Sequence, residues 1–343
     1  AKAPLDVLSR QRIENRDLGD ALAAASAALQ ARKPQLDAYN LAVERFLIAL
    51  QKQTPVSDWA APVTVRTPER EYQVTFDPAA QPPKIGEVLS PAMFSRLIPA
   101  NGYKIKGCDH IVAGTGIGAP VIMAREDVEK LVEDFTFRPR VGAYLPGTAL
   151  LEFGKAAPGA PVPVHLRIHN AYEKRSIQMA SATRPLSCNV SAAVQLSLDN
   201  RYIRNNALIG LLRPDKRTND IGLFGLNAYD PKKIPVVYVH GLKSGPYIWK
   251  NAVNEIYHDP ELAERYQPVL FLYPSGLSVP ASAARLRRSL QSYRDHWDPE
   301  HDDPGMDRML LVGHSMGGIL SRLQVGDSGG EVREAISYGA VRA

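Results

Sequence analysis

The sequence has little cysteine and no long apolar segment, and each absence excludes a class of protein. Only two of the 343 residues are cysteine, Cys108 and Cys188. Two cysteines cannot form a disulfide framework or a four-ligand zinc site, although one pairing between them stays open. No apolar run approaches the ~20 residues that a membrane-spanning helix requires. We therefore expect no membrane span.

The positive charge is small in amount and is not clustered. Lysine and arginine total 41 against 36 aspartate and glutamate residues, for a net charge of +5. They do not form the basic stripe that is typical of nucleic-acid binders, so no nucleic-acid partner is expected. The apolar share of 45% is ordinary for a globular protein that buries a sizeable core. The sequence begins at Ala1 without a charged and then apolar leader, which predicts either a cytosolic protein or a mature form whose signal has been removed.

The spacing of apolar residues predicts a helical hairpin over residues 1–54. From Gln35 to Gln53 they recur at steps of three and four, which places them on one face of a helix. The alanine-rich stretch from Leu18 to Ala31 predicts an earlier helix. Lys33-Pro34 separates the two helices, because a proline disfavours helical backbone at the residue before it.

Residues 55–224 are predicted to be a mixed, β-rich region that packs on the rest of the chain. Short apolar runs, Ile111–Ala113 among them, stand between recurring prolines and glycines. Val164 to Ile168 alternates apolar and polar residues, as a half-buried strand does. Arg213 to Pro231 is interpreted as a series of turns whose apolar residues seek burial.

Residues 225–343 show a regular alternation of strands and helices. Three short apolar runs predict buried strands, and each is followed by a helical stretch. The predicted strands are Ile234–Val239, Val269–Tyr273 and Met309–Val312, and the predicted helices are Pro246–Tyr257, Ala281–His296 and Met316–Val325. This order predicts a parallel sheet with right-handed crossovers. A fourth strand is expected at Ala335–Tyr338.

The strongest chemical motif is Gly313-His314-Ser315-Met316-Gly317, between the third predicted strand and its helix. In this G-x-S-x-G context a serine sits on a tight strand-to-helix turn with its hydroxyl exposed. Glycines two residues to either side avoid clashes with neighbouring backbone, and the helix N-terminus favours developing negative charge. Ser315 is the predicted nucleophile. The alternative is a glycine-rich turn with a capping serine.

A second motif, His240-Gly241, ends the first predicted strand. Ligands of open α/β sheets gather at the carboxyl ends of the strands. Gly241 lets the backbone approach a ligand, so the amides of Leu242 and Met316 are the predicted donors to an oxyanion. The ring of His240 is expected to be structural, and Tyr273 is expected to line the same pocket.

Three segments of the sequence resemble the α/β-hydrolase family: Ile234-Pro-Val-Val-Tyr-Val-His-Gly-Leu242, Phe271-Leu-Tyr-Pro-Ser-Gly276 and Leu311-Val-Gly-His-Ser-Met-Gly-Gly318. More narrowly, the chain resembles bacterial exported lipase-like or esterase-like hydrolases with a long N-terminal region. The resemblance implies a periplasmic or cell-envelope location. It also implies cleavage of a small-molecule or lipid ester through an acyl-serine, with no cofactor and with the order serine, acid, histidine.

The chain departs from this family after its serine. None of the eight histidines follows Ser315, and the later acidic residues are Asp327, Glu331 and Glu334. A serine without a general base is a weak nucleophile. Residues 225–343 are therefore expected to be a partial α/β-hydrolase core, from a fragment, a truncated product or a non-catalytic relative. The alternatives are a binding or cell-envelope protein on that scaffold, and a thioesterase or lactonase that uses the same serine.

The remaining motifs carry less chemistry. Gly114-Thr-Gly-Ile-Gly118 lacks the lysine of a phosphate-binding loop and is predicted to be a turn. His165 and His169 fall on one face of a predicted strand without further ligands, so no metal site is expected.

Overall fold

The computed structural model describes residues 12–13, 16–31, 35–78, 85–125, 137, 142–179, 182–199, 203 and 221–326. The described residues form a mixed α/β fold with a seven-stranded sheet, a four-stranded sheet, two small two-stranded sheets and eight α-helices. The strand predicted at Ala335–Tyr338 lies outside the described residues, as do Asp327, Glu331 and Glu334. No helix in the described part of the chain has the length and apolarity to cross a membrane.

The two predicted N-terminal helices are confirmed as α1 (Arg16–Gln30) and α2 (Leu36–Gln53). They pack against each other, and α2 also contacts the large sheet. The buried stripe of α2 includes five residues that the helical spacing predicts, Tyr39, Val43, Phe46, Leu47 and Leu50, and also Ala42 and Ala49. Leu36, which the same spacing places on the stripe, is only half-buried. Each large apolar side chain in such a stripe contributes roughly 1.5–3 kcal/mol of burial free energy.

The seven-stranded sheet is mixed. The strands of this half of the chain are β1 (Arg12–Ile13), β2 (Val63–Arg66), β3 (Glu71–Phe76), β4 (Arg96–Pro99), β5 (Ala113–Gly114), β6 (Ala119–Arg125), β7 (Ala143–Phe153) and β8 (Val162–Asn170). Without β5, they lie in the order β1-β2-β3-β8-β7-β6-β4, with β1–β2 and β3–β8 parallel and the other neighbours antiparallel. Of the apolar run Ile111–Ala113, only Ala113 lies in a strand, where it pairs with Asn189.

Helix α2 completes the hydrogen bonding of the sheet where a strand ends. β6 begins at Ala119, opposite Ala149, so the outer edge of β7 is uncovered beyond that pair. There the Tyr39 hydroxyl donates to the Leu151 carbonyl at 3.0 Å and accepts from the Leu151 amide at 2.8 Å. Burial raises the pKa of this phenol.

The adjacent residue of α2 bonds to the backbone that leads into β6. The Asn40 side chain donates to the Gly116 carbonyl at 2.8 Å and accepts from the Gly118 amide at 2.6 Å. The segment from Gly114 to Gly118 contains no helix: Gly114 belongs to β5, Ile117 forms an isolated bridge to Leu186, and Gly116 and Gly118 are bends.

The first half of the described chain ends with a hairpin and a helix. The hairpin consists of β9 (Ser176–Met179) and β10 (Ala182–Pro185), and β11 (Cys188–Asn189) pairs with β5. Helix α3 (Val190–Leu198) follows and is capped by Asn189, whose side chain accepts a hydrogen bond from the Ala192 amide. Cys108 and Cys188 are both unpaired.

The four-stranded sheet contains the three predicted strands and one that was not predicted. Its strands are β12 (Gly222–Gly225), β13 (Ile234–Val239), β14 (Tyr266–Leu272) and β15 (Leu310–Gly313), in the order β12-β14-β13-β15. β13, β14 and β15 are parallel, whereas β12 runs antiparallel to β14. The three predicted strands are therefore parallel, as expected, and the unpredicted β12 makes the sheet mixed. The apolar pair Leu223 and Phe224 is buried in a short edge strand, although the glycines on either side favoured a turn.

The helices of this half surround its sheet. They are α4 (Lys250–His258), α5 (Pro260–Arg265), α6 (Val279–Trp297), α7 (Pro304–Asp307) and α8 (Met316–Val325). The helix predicted at Pro246–Tyr257 begins with a 3₁₀ turn over Pro246–Trp249 and becomes α-helical at Lys250. The other two predicted helices are confirmed, and α8 has the predicted bounds.

The two halves of the chain share buried contacts. One apolar cluster joins Val112, Cys188, Val190, Val194 and Leu198 to Phe224, Leu226, Val236, Tyr238, Val253, Ile256 and Leu270. Beside it the Ser191 hydroxyl donates to the Asn254 side chain at 2.6 Å, and Lys250 Nζ lies 2.8 Å from Asp199 Oδ2. The predicted boundary at residue 224 falls within β12, which belongs to the second sheet.

Candidate active site

Ser315 occupies a tight turn between β15 and α8. The strand ends at Gly313, the helix begins at Met316, and Ser315 has φ 55° and ψ −123°. Residues other than glycine rarely adopt this backbone conformation. The residue is exposed, and its carbonyl accepts from the Gly318 amide at 2.9 Å. The hydroxyl therefore stands at a helix N-terminus, where the backbone dipoles favour negative charge.

Glycine is required at three positions around this turn. A Cβ atom on Gly317 would lie 2.1 Å from the Val239 carbonyl oxygen and 2.7 Å from that of His240. A Cβ on Gly313 would lie 2.4 Å from the Gly317 carbonyl oxygen, and one on Gly241 would lie 2.9 Å from Ser315 Cβ. The backbone segments at the ends of β13 and β15 thus meet in direct contact.

The predicted oxyanion donors lie on these two segments. The His314 amide donates to the Val239 carbonyl at 3.0 Å, which fixes the turn against the end of β13. Gly241 touches Ser315, and Leu242 follows with its side chain 52% exposed. Among the described residues, neither the Leu242 amide nor the Met316 amide donates a hydrogen bond to another group.

His240 contacts the loop that contains Gly241 and Leu242. Its side chain is 1% exposed, its Nδ1 lies 3.0 Å from the Gly241 carbonyl oxygen, and its ring stacks on Tyr273 at 4.3 Å. The Tyr273 hydroxyl donates to the His240 carbonyl at 2.7 Å. Burial lowers the pKa of His240 to about 4, so the ring is neutral at pH 7. The ring is therefore held against the backbone of the loop.

One residue of the site carries no sequence signal. Lys243, the second residue after Gly241, has φ 56°, and its amide donates to the Ser275 hydroxyl at 3.2 Å. Lysine has no preference for left-handed backbone, so no pattern could mark this position. Together with the bonds to His240, this contact fixes both ends of the loop that carries Leu242.

Five of the histidines contact residues away from Ser315. His165 contacts Thr75 and Asp77, His110 contacts Glu255 and stacks on His258, His301 accepts from Arg294, and His296 packs against Phe137 and Trp297. The ring of His314 lies beside Gly241. Within the described ranges no imidazole is hydrogen-bonded to the Ser315 hydroxyl.

The described residues hold no group of three histidine, cysteine or acidic side chains that could bind a metal ion. His165 and His169 do share β8, as predicted. Comparison with known protein families finds no match to this sequence. Curated proteins give no match either, and no solved structure matches.

Proposed function

We propose that Ser315 is the nucleophile of a hydrolase that cleaves carboxylic esters through an acyl-serine, on a partial α/β-hydrolase core at residues 225–343. One observation carries the proposal. An exposed serine has left-handed backbone at a helix N-terminus, and glycines pack directly against it. Backbone strain of this kind costs of order 1–3 kcal/mol and is concentrated at functional sites.

In the proposed reaction, Ser315 Oγ attacks the ester carbonyl carbon while a base takes the hydroxyl proton. The carbonyl oxygen becomes an oxyanion that accepts hydrogen bonds from the amides of Leu242 and Met316. The C–O bond to the alcohol then breaks, the alcohol leaves with a proton, and water hydrolyses the acyl-serine to release a carboxylate. Thioesters and lactones would follow the same steps with a different leaving group.

A second candidate is a non-catalytic binding protein on the same scaffold. It is favoured by the contacts of the histidines, since in the described part of the chain no imidazole is hydrogen-bonded to the Ser315 hydroxyl. The two candidates differ in one chemical respect. A hydrolase site needs only a proton acceptor to act, whereas a binding scaffold gains no activity from one.

Rescue by a soluble base separates the candidates. The purified chain should hydrolyse p-nitrophenyl acetate well below roughly 1 s⁻¹, since ordinary enzyme turnover begins near that value. Added imidazole should raise the rate, and the increase should depend on Ser315 after the solution reaction of imidazole is subtracted. Ser315→Ala should abolish the increase. Ser292→Ala, which removes an exposed hydroxyl from α6, should leave it unchanged.

Mass spectrometry of the same reaction should locate the acetyl group on Ser315. Equal rescue of the parent chain and of Ser315→Ala, or equal acetylation of Ser292 and Ser315, would favour the binding protein. Fast turnover without imidazole that Ser315→Ala abolishes would contradict the expectation that this chain has little activity, because a base would then be present.

A further inference from the structure

A cavity of about 570 Å³ lies in the first half of the molecule and shares no residue with the serine site. It opens between the end of α1, the strands β7 and β8, and the β9–β10 hairpin. Its apolar wall comprises Leu29, Ile117, Leu150, Phe153, Ile177 and Met179. The volume falls within the range of about 300–1,000 Å³ that is usual for small-molecule sites.

The polar lining of this cavity carries more positive than negative charge. Among the described residues, Arg167 and Lys174 line it, against a single carboxylate, Glu152. Arg167 Nη1 lies 3.2 Å from Glu152 and its Nε lies 3.4 Å from Asp77, so Nη2 has no acceptor among the described residues. Arginine is well suited to binding a carboxylate, because its planar fork presents two parallel donors.

The partner of Lys174 is exposed to solvent. Lys174 Nζ lies 2.8 Å from Glu87 Oε2, and the Glu87 side chain is 62% exposed. An exposed ion pair of this kind contributes little stability, so an anion in the cavity can compete for the lysine. The positive groups at the cavity are therefore available to a ligand.

His169 adds a buried polar group without a partner. It is 5% exposed and lines the cavity, and its Nδ1 has no hydrogen-bond partner in the described structure. Burial, together with the charges of Lys174 and Arg167, lowers the pKa of His169 to about 4, so the ring is neutral at pH 7. A buried polar atom left unbonded carries a desolvation cost that a ligand can remove.

We propose that this cavity binds a carboxylate with a medium-length apolar tail. The tail would lie against Leu150, Phe153 and Met179, and the head group would meet Arg167 and Lys174 beside His169. Met179 suits a site that accepts flexible tails, since methionine adapts to irregular surfaces. The proposal does not rest on the esterase activity.

The test is isothermal titration of the whole chain at pH 7 with sodium decanoate below its micelle concentration. Decanol and decylamine serve as the neutral and the cationic probe with the same tail. We expect decanoate to bind at least about ten times more tightly than either of them. Arg167→Gln should weaken decanoate binding by about tenfold or more, because a charge-assisted pair is lost. Arg70→Gln, which removes the same charge from an exposed turn, should not weaken it.

A second pair of variants locates the ligand. Met179→Trp should block the cavity and weaken binding by about tenfold or more, and it keeps the test valid if Arg167→Gln does not fold. Leu242→Trp, at the serine site, should leave binding unchanged. The proposal is overturned if decanoate does not bind, if decanol binds equally well, or if Leu242→Trp abolishes binding while Met179→Trp does not.

Discussion

The two halves of this protein differ in which residues have left-handed backbone. In the described part of the first half, the residues with positive φ are all glycines, at positions 102, 107, 118, 142 and 159. In the described part of the second half they are Lys243, His301 and Ser315, and none is a glycine. The first half thus makes its turns with the residue that tolerates them, whereas the second holds side chains in an unfavourable conformation.

This difference places backbone strain mainly at the proposed serine site. Two of the three strained residues, Lys243 and Ser315, flank the loop and the turn that carry the proposed oxyanion donors. The surrounding bonds to Val239, Ser275 and Tyr273 hold that geometry in place. Strain persists only where neighbouring structure over-determines the backbone, so these contacts are as necessary to the site as Ser315 itself.

The largest expected effect comes from overpacking the turn. Gly317→Val should lower the free energy of unfolding by about 4 kcal/mol or more, because the new side chain would meet two backbone carbonyls that cannot move aside. Gly318→Val is the matched control, since a Cβ there lies 3.6 Å from the nearest atom. Denaturant midpoints measure both variants. Equal stability of the two would mean that the turn is not crowded.

The buried ion pair between the halves should come next. Lys250 and Asp199 have side chains only 9% and 11% exposed, and the bond joins α4 to the end of α3. Lys250→Met should cost about 3 kcal/mol, because the Asp199 carboxylate would stay buried after losing the Lys250 cation. Urea denaturation of the single variant and of Lys250→Met with Asp199→Asn should show most of this loss restored in the double variant. If the double variant were as unstable as the single one, the packing of the lysine side chain, and not its charge, would account for the stabilisation at this contact.

The pH dependence of stability tests one buried histidine in each half. Burial lowers the pKa values of His169 and His240 to about 4, below the 6.5 of the unfolded chain. The stabilisation of the folded state by these neutral rings is complete above pH 6.5. It is lost as the pH falls towards 4, because over that range the unfolded state takes up protons and the folded state does not. Each should account for about 2.5 kcal/mol between pH 7 and pH 4.5. His169→Phe and His240→Phe should each flatten the curve of urea midpoint against pH, and an unchanged slope in either would contradict the burial argument for that half.

The smallest expected effect comes from changing the residue at one position with positive φ in each half, Ser315 and Gly159. Ser315→Gly should stabilise the protein by about 1 kcal/mol, because relief of backbone strain exceeds the added entropy of glycine in the unfolded chain. Gly159→Ala should destabilise it by a similar amount. Its φ is 76°, and a Cβ there meets nothing within 4 Å, so the backbone conformation alone decides the result. Thermal unfolding of both variants measures the two changes in stability. If both variants were stabilised, or both destabilised, the halves would not differ in backbone strain.

The second half could be predicted closely because its signals are local. Three apolar runs and three helical stretches alternate, and α8 begins and ends at the predicted residues. The motif around Ser315 likewise indicates Gly313, Gly317 and the turn itself, because those glycines are a steric requirement. Strand β12 could not be recognised, since a two-residue apolar pair between glycines reads as a turn.

Long-range features of the first half left no local signal. Helix α3 is buried along most of its length, so it lacks the one-sided spacing that indicates a helix. The order of the seven-stranded sheet places β3 beside β8, about 90 residues later, and nothing in either strand specifies the partner. The cavity beside His169 is assembled from several elements in the same way.

Two adjacent side chains of α2 form hydrogen bonds to backbone groups at the edge of the large sheet, as a neighbouring strand would. Tyr39 and Asn40 each donate one hydrogen bond and accept one from strand or pre-strand backbone, through Leu151, Gly116 and Gly118. An apolar stripe alone tolerates small shifts along a helix axis, but these bonds do not. Moving α2 by one residue, about 1.5 Å, would break all four bonds. Hydrogen bonds to specific backbone groups of the sheet thus fix the register of the helical hairpin, in the way that they fix the register between two paired strands.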